Sequence, residues 1–258
     1  METIEVSRSE GIVTITLNRP ERKNAIINAS WYELADTFRE INRNRDDRVV
    51  VLTGAAGDFC SGADLSPGAG GAEESTGLDG MRLAADTCLA LHRITKPTIA
   101  KVHGVAVGIG CNLALGCDLI VAGETARFSE IFIRRGLAID GGGSWLLPRL
   151  IGLHKAKELA FFGDVISAAE AERIGIVNHV VPDDQLDKFV DEWATRLSNL
   201  PPIQLSAIKS QLNNSMLTTM DKALEDEGWA QTVNMKTADF REAVRAFLQK
   251  DTPKFTGR

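Results

Sequence analysis

Hydrophobic and polar positions divide the chain into two unlike parts. Before residue 142, short apolar runs such as 49–53 alternate with amphipathic stretches such as 28–42, whose apolar residues recur at helical spacing. After residue 142 the pattern is mostly helical. The alternation of apolar runs and amphipathic stretches before residue 142 is typical of an α/β fold with parallel strands. The pattern predicts strands at 2–7, 12–17, 49–53, 97–102, 118–122 and 176–181, and helices at 28–42, 78–94, 112–117, 142–150, 153–162 and 167–174.

The late helices have little predicted sheet to pack against. A Pro-Pro pair at 201 and 202 precedes the last helical segment. We therefore divide the chain into a core, 1–195, and a helical region, 196–258, which serves either as a lid or as an oligomerisation unit. The segment 66–77, rich in Gly, Ala, Ser and Glu, is predicted to be a mobile loop.

Composition narrows the classes of function. The chain has 258 residues, and 35 acidic against 29 basic side chains give a net charge of -6. This balance argues against non-specific nucleic-acid or membrane-surface binding. The chain shows no secretory signal and no long apolar run, so we expect a cytoplasmic protein. Its four cysteines and four histidines lack metal-ligand spacing, so we expect neither a metal nor disulfides.

Two glycine-containing loops are candidates for chemistry. Residues 59–65 follow one predicted strand, and residues 104–112 lead from another into a helix. A helix N-terminus presents unpaired N–H groups, and a second free N–H from the first loop would complete a two-donor oxyanion hole. On spacing alone, tight turns and packing are the favoured interpretation of these glycines.

Three motifs resemble those of the crotonase (enoyl-CoA hydratase/isomerase) superfamily. They are NRPERKNA at 18–25, FCSGAD at 59–64, and KPTIA at 96–100 with its continuation through 104–118. The resemblance covers essentially the whole chain. It implies a spiral of β-β-α units with a C-terminal helical region that forms trimers, which often pair into hexamers. It also implies an acyl-CoA substrate, whose thioester oxygen the backbone N–H groups of Ala63 and Ile109 would hold, and no further cofactor.

The resemblance also bears on the reaction. Hydratases of this superfamily position water with two glutamates, and the aligned positions here are Asn112 and Phe132. Asp140 lies where other branches place an acid/base, and the chain is most similar to the branch of 1,2-epoxyphenylacetyl-CoA isomerase-like and enoyl-CoA isomerase members. One carboxylate suits a proton shuttle that shifts a double bond or opens an epoxide. For this to work near neutral pH, the pKa of Asp140 should be raised by burial among Phe132, Leu137 and Ile139. The alternative for Asp140 is a helix N-cap before 141–143.

Other residues carry secondary roles in this hypothesis. Glu130 is the second candidate carboxylate, although a solvated rim or a salt bridge is the favoured interpretation. The competing functions are a hydratase, a dehalogenase and an acyl-CoA-binding paralogue without turnover. The segment around 22–26 would bind CoA, and the acyl pocket would take walls from 66–83 and Trp145. The predicted substrate-binding residues are Arg22, Lys23, Ala25, Ile26, Asp64, Leu65, Gly110, Asn112, Phe132 and Ile139.

Overall fold

The computed structural model describes residues 3–66 and 78–258. Residues 67–77, most of the predicted mobile loop, lie outside the described residues. The strands are β1 Ile4–Ser9, β2 Ile12–Leu17, β3 Val49–Gly54, β4 Thr98–Val102, β5 Val105–Val107, β6 Leu119–Gly123, β7 Arg127–Ser129, β8 Ile166–Ser167 and β9 His179–Val181. The helices are α1 Asn28–Arg43, α2 Leu78–His92, α3 Ile109–Leu115, α4 Gly143–Ile151, α5 Leu153–Phe162, α6 Ala168–Arg173, α7 Leu186–Ser198, α8 Pro202–Ser215, α9 Met220–Asn234 and α10 Ala238–Gln249.

Two sheets organise the core. The larger has the order β1-β2-β3-β4-β6-β9, in which only the β1–β2 pair is antiparallel. The smaller has the order β5-β7-β8. Parallel strands need crossover connections, and the helices between strands supply several of them. The α/β class predicted from the alternating pattern is therefore present.

Strand β3 is buried on both faces. Val50 and Leu52 pack in the main core, whereas Val49 and Val51 pack in a second cluster with residues of α7. Successive side chains of a strand point to opposite faces, so a continuous apolar run fits a strand that is covered on both sides.

Helix α3 is buried along its entire length. It begins at Ile109, three residues before the predicted start at 112, because Gly108 with a φ of 56° turns the chain directly from β5 into the helix. Strand β9 is shorter than predicted: it covers 179–181 rather than 176–181.

The last three helices, α8 to α10, contain few buried residues. Helices α8 and α9 contain no buried residue, and α10 contains only Asp239 and Ala246. The proposed boundary at 195/196 falls within α7, and it stays a prediction. No helix within residues 3–66 and 78–258 combines the length and the apolarity that crossing a membrane requires. The large apolar residues exposed on α8–α10 and between them are Ile208, Leu212, Met216, Leu217, Met220, Leu224, Trp229, Val233, Met235, Phe240, Val244, Phe247 and Leu248.

Candidate active site

The two glycine-containing loops lie against each other. Cys60 forms an isolated parallel bridge with Ala106, and its carbonyl accepts a hydrogen bond of 3.0 Å from the Val107 N–H. A Cβ atom on Gly110 would lie only 2.3 Å from the Cys60 carbonyl oxygen. Gly110 therefore permits the first turn of α3 to approach the loop at 59–65, and its position in the fold explains why a side chain is missing there.

Two backbone N–H groups at this junction form no backbone hydrogen bond in the described parts of the chain. Ala63 lies in a bridge with Ile26, whose hydrogen bonds use the Gly62 carbonyl and the Asp64 N–H and leave the Ala63 N–H unused. Ile109 is the first residue of α3, so its N–H has no partner within the helix. Across the described parts of the chain, neither N–H donates to a backbone acceptor. These are the two donors predicted for the oxyanion hole.

Asp140 lies in the turn before α4 and is not the N-cap of that helix. The N-cap is Gly142, so the interpretation of Asp140 as a simple cap is wrong. The Asp140 carbonyl accepts hydrogen bonds from the Gly143 N–H at 3.0 Å and from Asn112 Nδ2 at 2.8 Å. Its carboxyl Oδ1 is buried without a hydrogen-bond partner in the described structure. Burial raises the pKa of Asp140 to about 6, which suits a proton acceptor near neutral pH.

The surroundings of Asp140 differ in part from the prediction. Phe132 is buried, whereas Leu137 is 50% exposed. Cys88 of α2 lies near enough for the Asp140 charge to raise its pKa, although burial is the main reason that this pKa reaches about 12.

Glu130 is buried, and the expectation of a solvated rim or a salt bridge is wrong. It follows β7, is only 2% exposed, and accepts a long hydrogen bond of 3.4 Å from Asn112 Nδ2. Burial raises the pKa of Glu130 to about 7, although hydrogen bonds with Cys111 and Asn112 act in the opposite direction. Its role is not apparent from the sequence, because nothing in the local pattern shows that a carboxylate beside β7 turns inward.

The two positions aligned with hydratase glutamates hold buried neutral side chains. Asn112 is 1% exposed and Phe132 is 7% exposed. The Phe132 ring lies against the start of α3, where a Cβ on Gly108 would lie 3.9 Å from its Cζ atom. Neither side chain can accept a proton from water. Among the described residues, Asp140 and Glu130 supply carboxyl groups near these two positions.

A cavity of about 770 Å³ extends from this region between α2, α4 and α8. Asn112, Gly141 and Gly142 line the part beside Asp140, and Trp145 lines it as predicted. Phe132 and Ile139 lie outside this lining, whereas Met81 and residues of α8 belong to it. The α8 residues could not be found from the sequence, because they lie about a hundred positions from the motifs and reach the cavity only through folding.

The predicted CoA-binding segment adjoins the same junction. The Ser61 N–H donates to the Lys23 carbonyl at 3.0 Å, and Ile26 pairs with Ala63. Lys23 forms an ion pair with Asp58 at 3.3 Å but keeps an exposed side chain, as does Arg22. Ala25 is buried, and its carbonyl accepts a bond from the Arg19 guanidinium. The segment is thus held next to the loop that carries Ala63.

Asp64 and Leu65 have different environments. Asp64 is buried and forms an ion pair with Arg19 at 2.9 Å. Although burial acts to raise it, the pKa of Asp64 is lowered overall by hydrogen bonds from Ser66 and Arg19. Leu65 is 53% exposed and is available to a ligand. Asp64 therefore holds the loop at 59–65 in place. Among residues 3–66 and 78–258, no group of three His, Cys, Asp or Glu side chains is placed to share a metal ion.

The two amides, the Asp140 carboxyl group and the cavity beside it lie in an α/β core, and they are the features expected of an acyl-thioester site of the crotonase type. The family model described as Enoyl-CoA hydratase/isomerase matches residues 7–258. The chain therefore belongs to the enoyl-CoA hydratase/isomerase family, and the family and fold predicted from the motifs are confirmed. Its activity falls within that of this family, isomerase or hydratase, and its substrate is an acyl-CoA thioester.

Individual relatives divide between the two activities. The chain is 37% identical over 261 residues to 1,2-epoxyphenylacetyl-CoA isomerase of Escherichia coli (strain K12), with all of both chains covered. It is 38% identical to a probable enoyl-CoA hydratase of Rhodobacter capsulatus, covering 99% of this chain and 98% of the relative. The crystal structure of enoyl-CoA hydratase from Bacillus anthracis superposes with a TM-score of 0.94 at 34% identity, covering 99% of this chain and 100% of that one.

Proposed function

We propose that this protein shifts a double bond, or opens an epoxide ring, in an enoyl-CoA, with Asp140 as the acid/base. The observation that carries the proposal is the Asp140 carboxyl group, which has a buried unpartnered oxygen and a pKa raised by burial to about 6. It lies next to two residues that line the cavity, Gly141 and Gly142. The neutral side chains at 112 and 132 support an isomerase over a hydratase.

The proposed mechanism needs one base and no bound water. Asp140 removes a proton from the carbon next to the thioester carbonyl, and the C–H electron pair moves into an enolate that is conjugated with the neighbouring double bond. The N–H groups of Ala63 and Ile109 donate to the enolate oxygen, and both hydrogen bonds strengthen as its negative charge grows. Protonated Asp140 then returns the proton to another carbon of the conjugated system, which moves the double bond.

The rest of the proposal concerns binding and assembly. The CoA portion lies along the segment 22–26, with Arg22 and Lys23 near its phosphates, and Leu65 borders the ligand. The acyl chain occupies the cavity between α2, α4 and α8. The chain assembles as a homotrimer or hexamer through its C-terminal helices, which is supported by their exposed apolar residues. No cofactor beyond the CoA of the substrate takes part.

The test is exchange of substrate carbon-bound protons in deuterated water, measured together with conversion of a 3-enoyl-CoA to a 2-enoyl-CoA. Replacing Asp140→Asn is expected to lower both rates by about 10²- to 10⁴-fold, the usual contribution of a positioned acid/base. The Asn side chain keeps the size and the backbone contacts of Asp140, so CoA affinity should persist. Unchanged turnover would eliminate Asp140 as the base.

A hydratase is the second candidate function, because the relative from Rhodobacter capsulatus is a probable hydratase and because Glu130 lies beside Asn112. Rapid hydration of crotonyl-CoA by the unmodified protein would favour it. A third candidate, a paralogue that binds acyl-CoA without turnover, would show tight binding and no proton exchange at all.

A further inference from the structure

Buried polar atoms without hydrogen-bond partners are concentrated beside the proposed base. In the described residues, seven such side-chain atoms occur, and three belong to one cluster: Oδ1 of Asn112, Oε1 of Glu130 and Oδ1 of Asp140. The great majority of buried polar groups are paired, so each exception asks for an explanation. Asp140 is explained by the proposed reaction, but Glu130 has no place in it.

Asn112 connects the Glu130 carboxyl group with the backbone of Asp140. Its Nδ2 atom donates to the Asp140 carbonyl at 2.8 Å and lies 3.4 Å from Glu130 Oε2. On its other side, a Cβ on Gly143 would lie 2.5 Å from Asn112 Oδ1, so the start of α4 closes against the amide group. Asn112 belongs to α3, whose first residue, Ile109, supplies a proposed oxyanion donor.

The direction of the Asn112 side chain therefore sets where the Asp140 segment lies relative to α3. Glu130 contacts Asn112 from the end of β7 and also bonds Cys111. We propose that Glu130 is a positioning residue, which acts through Asn112 to hold Asp140 at a fixed place relative to the oxyanion donors. This inference rests on the function proposed above.

A carboxyl group at this place costs folding free energy. Burying an ionisable group is unfavourable unless it is paired, and apolar residues of similar volume often replace such groups without loss of stability. Glu130 forms no ion pair in the described structure. The titratable groups near Glu130 are Cys111, Asp140 before α4 and Asp164 after α5. Asp164 and Glu130 border the same small cavity. Glu130 therefore acts by hydrogen bonding, for which a neutral carboxamide can substitute.

The experiment compares two substitutions of nearly equal volume. Glu130→Gln keeps a hydrogen-bonding group toward Asn112, whereas Glu130→Leu removes it. We expect Glu130→Gln to retain kcat for double-bond shifting, and Glu130→Leu to lower kcat by about 10- to 100-fold, the usual effect of a small misplacement of a catalytic group. KM should change little in both, because the CoA segment lies elsewhere. A purely structural role would not give this split between kcat and KM together with rescue by Gln.

A double variant tests whether the effect passes through Asn112. Asn112→Ala breaks the connection by itself, and adding Glu130→Leu should then cost little more, since contacting residues in one network are not additive. Full additivity, or a wild-type kcat in Glu130→Leu or in Asn112→Ala, would overturn the inference. Loss of kcat in Glu130→Gln equal to that in Glu130→Leu would also overturn it.

Two controls separate this inference from the function on which it rests. Wild-type protein and Asp140→Asn are measured in parallel, and absence of Asp140-dependent exchange contradicts the proposed function rather than the role of Glu130. Circular dichroism and thermal unfolding verify that each variant is folded. If Glu130→Leu does not fold, Glu130→Ala, which also removes the hydrogen-bonding group, takes its place in both comparisons.

Discussion

The carboxyl groups of Asp140 and Glu130 lie near the same site but differ in their position relative to the cavity. Both have a pKa raised by burial, to about 6 for Asp140 and to about 7 for Glu130. Asp140 adjoins two cavity-lining glycines, whereas Glu130 lies behind Asn112 and borders a separate small space. The distinction between a proton carrier and a positioning residue therefore rests on access to the substrate cavity rather than on acidity.

The raised pKa of Asp140 predicts a pH dependence of proton exchange. The base must be ionised to accept a proton, and its pKa is shifted up from 3.8 to about 6. The exchange rate should therefore be full above pH 7 and should fall through pH 6, approaching a tenfold loss per pH unit in acid. Steady-state exchange from pH 4.5 to 8 measures this, with CoA affinity at each pH as the control. A rate that stays constant down to pH 5 would contradict the prediction.

Residue types at aligned positions were read correctly from the chain, but their surroundings were not. The neutral residues at 112 and 132 and the acid at 140 are facts of sequence. Burial is a property of the folded neighbourhood, and distant residues set it. The inward direction of Glu130 and the exposure of Leu137 could therefore not be predicted from local pattern.

At the scale of elements, the proposed oxyanion hole depends on the approach of α3 to one loop. The helix begins at Ile109 and its second residue, Gly110, lies against the Cys60 carbonyl. The two donors come from different elements, so their separation is set by this packing contact. A change in the contact acts on the reaction without touching the substrate.

This contact predicts the effect of Gly110→Ala. In an ordinary helix interior the change would stabilise by about 1 kcal/mol. Here the new methyl group would lie 2.3 Å from the Cys60 oxygen, so α3 and the loop must separate. We expect kcat to fall by about 10²-fold or more, the effect of losing one oxyanion donor, and the melting temperature to fall as well. Turnover and thermal unfolding are the measurements.

Gly116→Ala, at the other end of the same helix, is the matched control. A Cβ there would contact the Leu91 side chain at 3.1 Å, and a side-chain terminus yields more easily than a backbone carbonyl. Its effect on kcat should be much smaller. Equal losses in the two variants would show that any added methyl group on α3 is damaging and would remove the argument for the loop contact.

Strong periodicity located most elements, whereas caps and boundaries were less predictable. Helix α5 spans 153–162 as the pattern predicts, because its apolar spacing and flanking glycines agree. The start of α3 and the N-cap of α4 differ from prediction, since glycines with positive φ at 108 and 142 begin both helices. Glycine permits a positive φ, but its presence in the sequence does not show at which residue a helix begins.

At the scale of the molecule, the C-terminal helices expose more apolar surface than a stable monomer usually leaves uncovered. Phe247 is 84% exposed, and Trp229 and Met220 are 67% and 76% exposed. Large exposed apolar patches mark interaction surfaces. This supports the proposed self-association, in which the same helices would become the interior of an oligomer.

Phe247→Asp tests this proposal directly. A charge placed on the proposed interface must be desolvated on assembly, so the variant should shift from oligomer toward monomer in light scattering coupled to size-exclusion chromatography. Gln185→Asp adds the same charge at an exposed position before α7 and should leave the mass unchanged. A monomeric wild-type protein, or an unaltered mass for Phe247→Asp, would exclude this helix as the interface.

The sequence by itself determined the fold class, the family and the residue types at the reacting positions, because these follow from local patterns and short motifs. Tertiary structure decided which groups meet. It brought α8 to the cavity, placed Asn112 between Glu130 and Asp140, and left one carboxyl oxygen of each acid without a partner. Burial and hydrogen bonding depend on residues far apart in the chain, so only the folded protein shows which carboxyl group lies next to the cavity-lining residues.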